Sequence, residues 1–119
     1  MKKFKFAALI VCFAAIGLMF SSCSKSEDLI LGVWKVVRIT NGGQTVVYSD
    51  SDNYTYEFKA DNTVTMSYRG TPSGTLTYSI EGNALYIDNN KSIIETLTKK
   101  KMILSDPDDS NNTIEFEKL

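Results

Sequence analysis

The reactive side chains of this chain are 14 carboxylates and two thiols, with no histidine. Without histidine the usual neutral-pH base, and the commonest metal ligand, is missing. Cys12 lies inside an apolar run and Cys23 closes one, so any nucleophilic chemistry falls to carboxylates and hydroxyls. Enough of these exist to build a glycosidase-like pair, yet none sits in a recognisable spacing. Glu95 is the best candidate. It shares strand parity with Ile93 and Leu97 and would then point inward, whereas the competing register turns Ile94 and Thr96 inward and leaves Glu95 in water. Asp50-Ser51-Asp52-Asn53 and the run from Asp106-Pro107-Asp108-Asp109 to Asn112 cluster carboxylates that could hold Ca²⁺. Neither matches an EF-hand loop, which needs a bidentate Glu at its twelfth position, and both read as solvated turns. The residues assign no catalytic group, no metal site and no cofactor, so the expectation is a protein that is not an enzyme.

Cys23 is different because of what precedes it. Lys2, Lys3 and Lys5 make a positive start, and Phe6 to Phe20 is uncharged, with Gly17 alone interrupting the apolar side chains. A charged start, a short apolar stretch and small residues at Ser21-Ser22 read as a secretory signal. At 15 residues the stretch is shorter than the ~20 a helix needs to cross a bilayer. Leu18-Met19-Phe20-Ser21-Ser22-Cys23 resembles a bacterial lipobox, with Phe20 where Leu is usual. The resemblance implies cleavage before Cys23 and acylation of its thiol by diacylglycerol and a third chain such as palmitate. The alternative is an ordinary cleaved signal followed by a chance cysteine. Two or more acyl chains anchor a protein stably, at ~0.8 kcal/mol per buried methylene. The expectation is therefore a lipoprotein tethered to the bacterial outer membrane. Ser24-Lys25-Ser26-Glu27-Asp28 reads as a polar linker, and it loosely resembles the surface-export tag of some Gram-negative lipoproteins. The expected organisation is a signal peptide over 1–22, a lipidated terminus and linker over 23–29, and one domain over 30–119.

Removing Lys2, Lys3 and Lys5 from the 13 basic residues leaves 10 against 14 acidic ones, a formal charge of −4. That balance excludes a nucleic-acid partner, which would call for a basic patch. Lys99-Lys100-Lys101 is the one basic run and sits at a turn. No disulfide can form once Cys12 leaves with the signal and Cys23 carries lipid, although the envelope would permit one. Stability must come from a single core of about 90 residues, enough for one small domain.

Alternation of apolar and polar residues in short runs dominates the rest of the chain, and helical periodicity is absent. Tyr54, Tyr56 and Phe58 share a face, Val64, Met66 and Tyr68 another, and Leu76, Tyr78 and Ile80 a third. Asp61-Asn62 and Glu81-Gly82-Asn83 supply turns, and Gly70 to Gly74 reads as a loop. Strands are also expected at Val33–Thr40, Gln44–Ser49, Lys91–Thr98, Lys101–Ser105 and Thr113–Lys118, giving eight or nine. Short connections make neighbours antiparallel, and closure into a barrel removes exposed edges. The fold expected is all-β, a small antiparallel up-and-down barrel.

Aromatic side chains fall mostly on the inward faces. Tyrosine combines a large apolar body with a polar tip, which suits the mouth of a pocket. Trp34, Tyr54, Tyr56, Tyr68 and Tyr78 are accordingly the candidate ligand-binding residues, for a small hydrophobic or amphipathic molecule. The competing reading is that these rings are simply the core, since a barrel of this size needs large side chains to fill it.

Gly32-Val33-Trp34 opening the first strand, Tyr56-Glu57-Phe58-Lys59-Ala60-Asp61-Asn62, Leu76 to Asn83, Ala84 to Asp88 and Thr113 to Lys118 resemble in their order the lipocalin-like domain of short bacterial lipoproteins. The resemblance covers nearly all of residues 30–119 and implies about eight strands around a site for one small ligand. In lipocalins an arginine from a late strand packs over the Gly-x-Trp indole. Here Arg38 and Arg69 are both early, which leaves that lock missing or poorly filled by Lys118. The function expected is ligand binding on a membrane tether. The alternative is a solid barrel whose outer surface contacts an envelope or host protein, as an interaction or inhibitor module.

Overall fold

The computed structural model describes residues 25–119. Residues 1–22, expected as a signal peptide, and Cys23, the expected lipidation site, lie outside the described residues. A six-residue helix, α1 (Lys25–Ile30), is followed by nine strands: β1 (Gly32–Asn41), β2 (Gln44–Val47), β3 (Thr55–Phe58), β4 (Thr63–Tyr68), β5 (Thr71–Glu81), β6 (Ala84–Ile87), β7 (Asn90–Leu97), β8 (Lys101–Asp106) and β9 (Asp109–Lys118). A single 3₁₀ turn, Asp50–Asp52, links β2 to β3. All neighbours run antiparallel, and β9 returns to pair with β1. Eight strands thus close a barrel, and β2 is an extra strand beside the far half of β1, from Arg38 to Asn41. The near half of β1, from Gly32 to Lys35, pairs with β3.

Turn chemistry sets the strand ends, and it corrects two expected loops. Arg69 (φ 55°) and Gly70 (φ 80°) both occupy left-handed backbone, which suits the tight two-residue turn between twisted strands. As a result β5 begins at Thr71, and the expected loop from Gly70 to Gly74 is mostly strand. The extra residue is absorbed by a bulge opposite Met66 and Ser67, where the Ser73 hydroxyl donates to the Met66 carbonyl at 3.1 Å. Likewise Pro107-Asp108 alone turns the chain between β8 and β9, and Asp109 is already paired with Asp106. Carboxylates cap these turns, with Asp106 accepting from the Asp108 amide at 2.8 Å and Asp109 from the Asn111 amide at 3.0 Å.

One end of the barrel is closed by α1. A helix of six residues is too short to hold itself together, so its position is set by tertiary contacts. Ile30 is fully buried. The Trp34 indole N–H donates to the Ile30 carbonyl at 2.8 Å, and Lys118 Nζ donates to the Leu29 carbonyl at 2.9 Å. Both bonds satisfy carbonyls at the helix end that have no intrahelical donor. Residues 25–29, expected as linker, are therefore part of the folded base. Lys118 Nζ also lies 4.9 Å from the centre of the Trp34 ring, within cation–π range. The late-strand lock expected to be missing or poor is present, with lysine in place of arginine.

The core alternates along each strand, with Trp34, Phe58 and Phe116 fully buried. Bulges change the parity where strands bend. One at Val37 keeps Ile39 on the same inner side as Trp34 and Val36. Another, at Glu95, lets both Ile94 and Leu97 face the core. Glu95 consequently lies on the exposed side, where its carboxylate accepts from the Ser105 hydroxyl at 2.6 Å. Both strict-alternation registers considered for β7 are thereby replaced.

Gly32 explains the first position of Gly-x-Trp. Its φ is +123°, and a Cβ there would stand 3.1 Å from Lys118 Cε. A side chain would strain the backbone and crowd the lysine at once. Gly32→Ala should destabilise the domain by ~1–3 kcal/mol, read as a lower urea midpoint with an unchanged denaturant slope.

Candidate functional site: the open mouth of the barrel

The end opposite α1 carries the turns β1–β2, β4–β5, β6–β7 and β8–β9. Among the described residues no α-helix lies there, and the 3₁₀ turn Asp50–Asp52 borders it, the Asp52 carbonyl accepting from the Arg69 amide at 3.0 Å. A cavity of about 320 Å³ opens there, with Ile39, Leu104 and Ile114 as its apolar wall and Asn41, Ser92 and Lys91 among its polar groups. Ile39 and Ile114 face each other across the β1–β9 seam. Asn112, beside them, accepts from the Gly42 amide at 3.0 Å and ties β9 to the β1–β2 turn. The wall thus stands on strands that the barrel closure itself fixes.

None of the five expected ligand-binding residues lines this cavity. Trp34 and Tyr78 lie at the closed base, the first fully buried and the second bonded through its hydroxyl to the Lys59 carbonyl at 3.1 Å. Tyr56 stands in mid-barrel, packed edge-on against Phe116 with ring centres 5.0 Å apart. Tyr54 and Tyr68 reach the mouth from the β3–β4 side, edge to face at 5.6 Å, joined there by Tyr48 at 5.4 Å from Tyr54. Tyr54 also borders a smaller recess of about 220 Å³ with Val36 and Ser49. The rings form one chain of contacts from rim to base, through Tyr54–Tyr56 at 5.9 Å, Tyr56–Phe58 at 6.4 Å and Phe58–Tyr78 at 5.0 Å. They fill the middle of the barrel, and open space remains beside the aliphatic residues above. Tyr78 also lines a polar recess of about 460 Å³ between α1 and β5, with Glu27, Asp28 and Ile80. Strand reading missed Ile39 as a wall residue because the bulge at Val37 is invisible in the sequence.

Comparison with family models places residues 30–104 in the lipocalin-like domain. The chain belongs to this family. Among solved structures, a lipocalin-like protein from Bacteroides uniformis superposes with a TM-score of 0.62 at 16% identity, covering 76% of this chain and 99% of that one. At that identity the likeness concerns the fold. No curated protein matches the sequence.

In this lipocalin-like domain the remaining chemical candidates are occupied structurally. Asp52 accepts from the Ser49 amide at 2.8 Å, and Asp50 pairs with Lys35 at 2.7 Å. That bond holds the Asp50 carboxyl below its usual range and raises the Lys35 ammonium. Among the described residues no three Cys, Asp or Glu groups gather as a metal site would require. Burial, then the neighbouring Tyr54, pushes the Tyr56 phenol far above an ordinary tyrosine. The folded state therefore favours neutral Tyr56, and its contribution is complete below about pH 10. Above that pH the unfolded chain ionises first, so stability falls by up to ~1.4 kcal/mol per pH unit from this group. Tyr56→Phe should flatten that alkaline loss in denaturation curves taken between about pH 9 and 11.

Proposed function

We propose that this lipocalin-like domain binds one small amphipathic molecule at its mouth, and that Cys23 tethers it to the outer membrane of a bacterial envelope. The observation that carries the binding reading is the cavity of about 320 Å³ above a plugged base, with an aliphatic wall and polar groups beside it. Ligand sites run from ~300 to 1,000 Å³ and combine apolar walls with a few placed polar groups, so this one suits a ligand at the small end. The apolar part of the ligand rests on Ile39, Leu104 and Ile114, and its polar part lies toward Lys91, Asn41 and Ser92. Tyr54 and Tyr68 offer a second, aromatic side to the same mouth. Trp34, Tyr56 and Tyr78 act beneath it as packing that fixes the floor. Binding rather than catalysis is the activity proposed, and no cofactor is called for.

A protein-interaction role has one observation in its favour. Strand β2 pairs on one side only, and its Val46 and Val47 are 55% and 68% exposed. Such an edge accepts an added strand readily.

Native mass spectrometry of residues 24–119, purified without detergent from the original host, separates the two. A reproducible extra mass that disappears in Ile114→Trp, with the fold intact by circular dichroism, is the result expected. A bare mass that also takes up no fatty acid, sterol or haem would sink the ligand reading and leave the β2 edge as the lead.

A further inference from the structure

Anchoring at Cys23, on which this inference rests, has a geometric consequence that the position of α1 decides. Only Ser24 separates Cys23 from the first residue of the helix. One residue spans at most ~3.6 Å, and the helix of six residues is only ~9 Å long. The helix is not free to swing, because Ile30 is buried and the carbonyls of Leu29 and Ile30 are held by Lys118 and Trp34. Two residue steps of ~3.6 Å and the ~9 Å helix keep acyl chains on Cys23 within about 16 Å of the barrel's plugged end.

We propose that the barrel stands on its base. The turns around Lys59–Asn62, Glu81–Ala84 and Thr98–Lys101, together with α1, face the lipid headgroups, and the mouth faces away. β1 has 10 residues; at ~3.3 Å each and a tilt of 35–45°, the barrel rises roughly 25 Å from base to rim. The partner of the base is the headgroup layer of the anchoring leaflet. The exposed Lys99 and Lys100 on the β7–β8 turn are offset by exposed Glu27, Asp28, Asp61 and Glu81 at the same end, so the short tether and not net charge sets the orientation. A mouth held that far out cannot dip into the membrane that anchors it. Its ligand must arrive through the aqueous compartment, free or handed over by another protein. The domain is then a receiver of dispersed amphiphiles and not an extractor of membrane lipid.

The test uses the full-length chain, processed and acylated in its bacterial host and reconstituted in phosphatidylethanolamine and phosphatidylglycerol vesicles. A single fluorophore is attached through Lys100→Cys at the base or through Asp108→Cys at the mouth, both exposed positions, and quenched by nitroxide headgroup lipids. Quenching several-fold stronger at position 100 than at 108 is expected. Equal quenching, or the reverse order, in vesicle-bound protein overturns the orientation. Protein that does not bind vesicles at all refutes the anchor itself, a separate failure that mass analysis of Cys23 confirms. Inserting a ten-residue Gly/Ser segment after Ser24 keeps vesicle binding and should shrink the contrast. A contrast unchanged by that insertion overturns the short tether as its cause.

Discussion

The hydrogen bond from the Trp34 indole to the Ile30 carbonyl, 2.8 Å long and wholly buried, is the contact on which the rest of the barrel depends. It joins the first strand to the helix that plugs the base, and Lys118 completes it from the last strand by lying on the same indole ring and bonding the adjacent carbonyl. A buried indole N–H without an acceptor would cost on the order of 1–3 kcal/mol, and so would each stranded carbonyl. Three elements from opposite ends of the chain are thus held by satisfying one another's polar groups within an apolar core. Gly32 belongs to the same unit, since its positive φ lets the chain turn from helix to strand beneath the lysine. The Gly-x-Trp signature is therefore a description of how the base is sealed.

Sealing the base and packing rings through the middle of the barrel leaves the mouth as the cavity with an aliphatic wall at Ile39, Leu104 and Ile114. The space above is shaped by bulges more than by residue size. At Val37 the extra residue keeps Ile39 turned inward, opposite Ile114, and at Glu95 it keeps a carboxylate out of the core. Had β7 alternated strictly, either Glu95 or Thr96 would have displaced an aliphatic side chain from the interior. Each bulge converts a strand too long for its partner into a bent one, which is how a small barrel closes without strain.

Much of this was legible from residue order. The alternation of Tyr54, Tyr56 and Phe58, the turn residues at Asp61-Asn62 and Glu81-Gly82-Asn83, and the Gly-x-Trp opening gave an antiparallel barrel with Trp34 on its first strand. What could not be read was geometry that depends on partners distant in the chain. The short polar-looking segment Lys25 to Ile30 has no helical period of its own, and only Lys118, Trp34 and the barrel base make it a plug. Aromatic residues were legible as inward-facing, but their division between mid-barrel packing and the rim depends on depth along the axis, which sequence parity does not carry. The cavity wall at Ile39, Leu104 and Ile114 reads in sequence as ordinary strand core. The acidic run Asp106 to Asn112 looked like a loop because its turn-forming composition hides a two-residue hairpin.

The seam between β1 and β9 also sets the order in which the molecule can assemble. Lys118 bonds the carbonyl of a residue 89 positions earlier, and β1 spans nearly its whole length against the final strand. Contacts this distant must overcome a large loop-closure entropy before they stabilise anything, so folding should be slow and late. A nascent chain lacking its last ten residues has a first strand with one edge open, an unsealed base and an indole with no lysine above it. Until β9 is complete the barrel cannot close, and a chain whose barrel is still open is easier to thread through a membrane pore than a closed one.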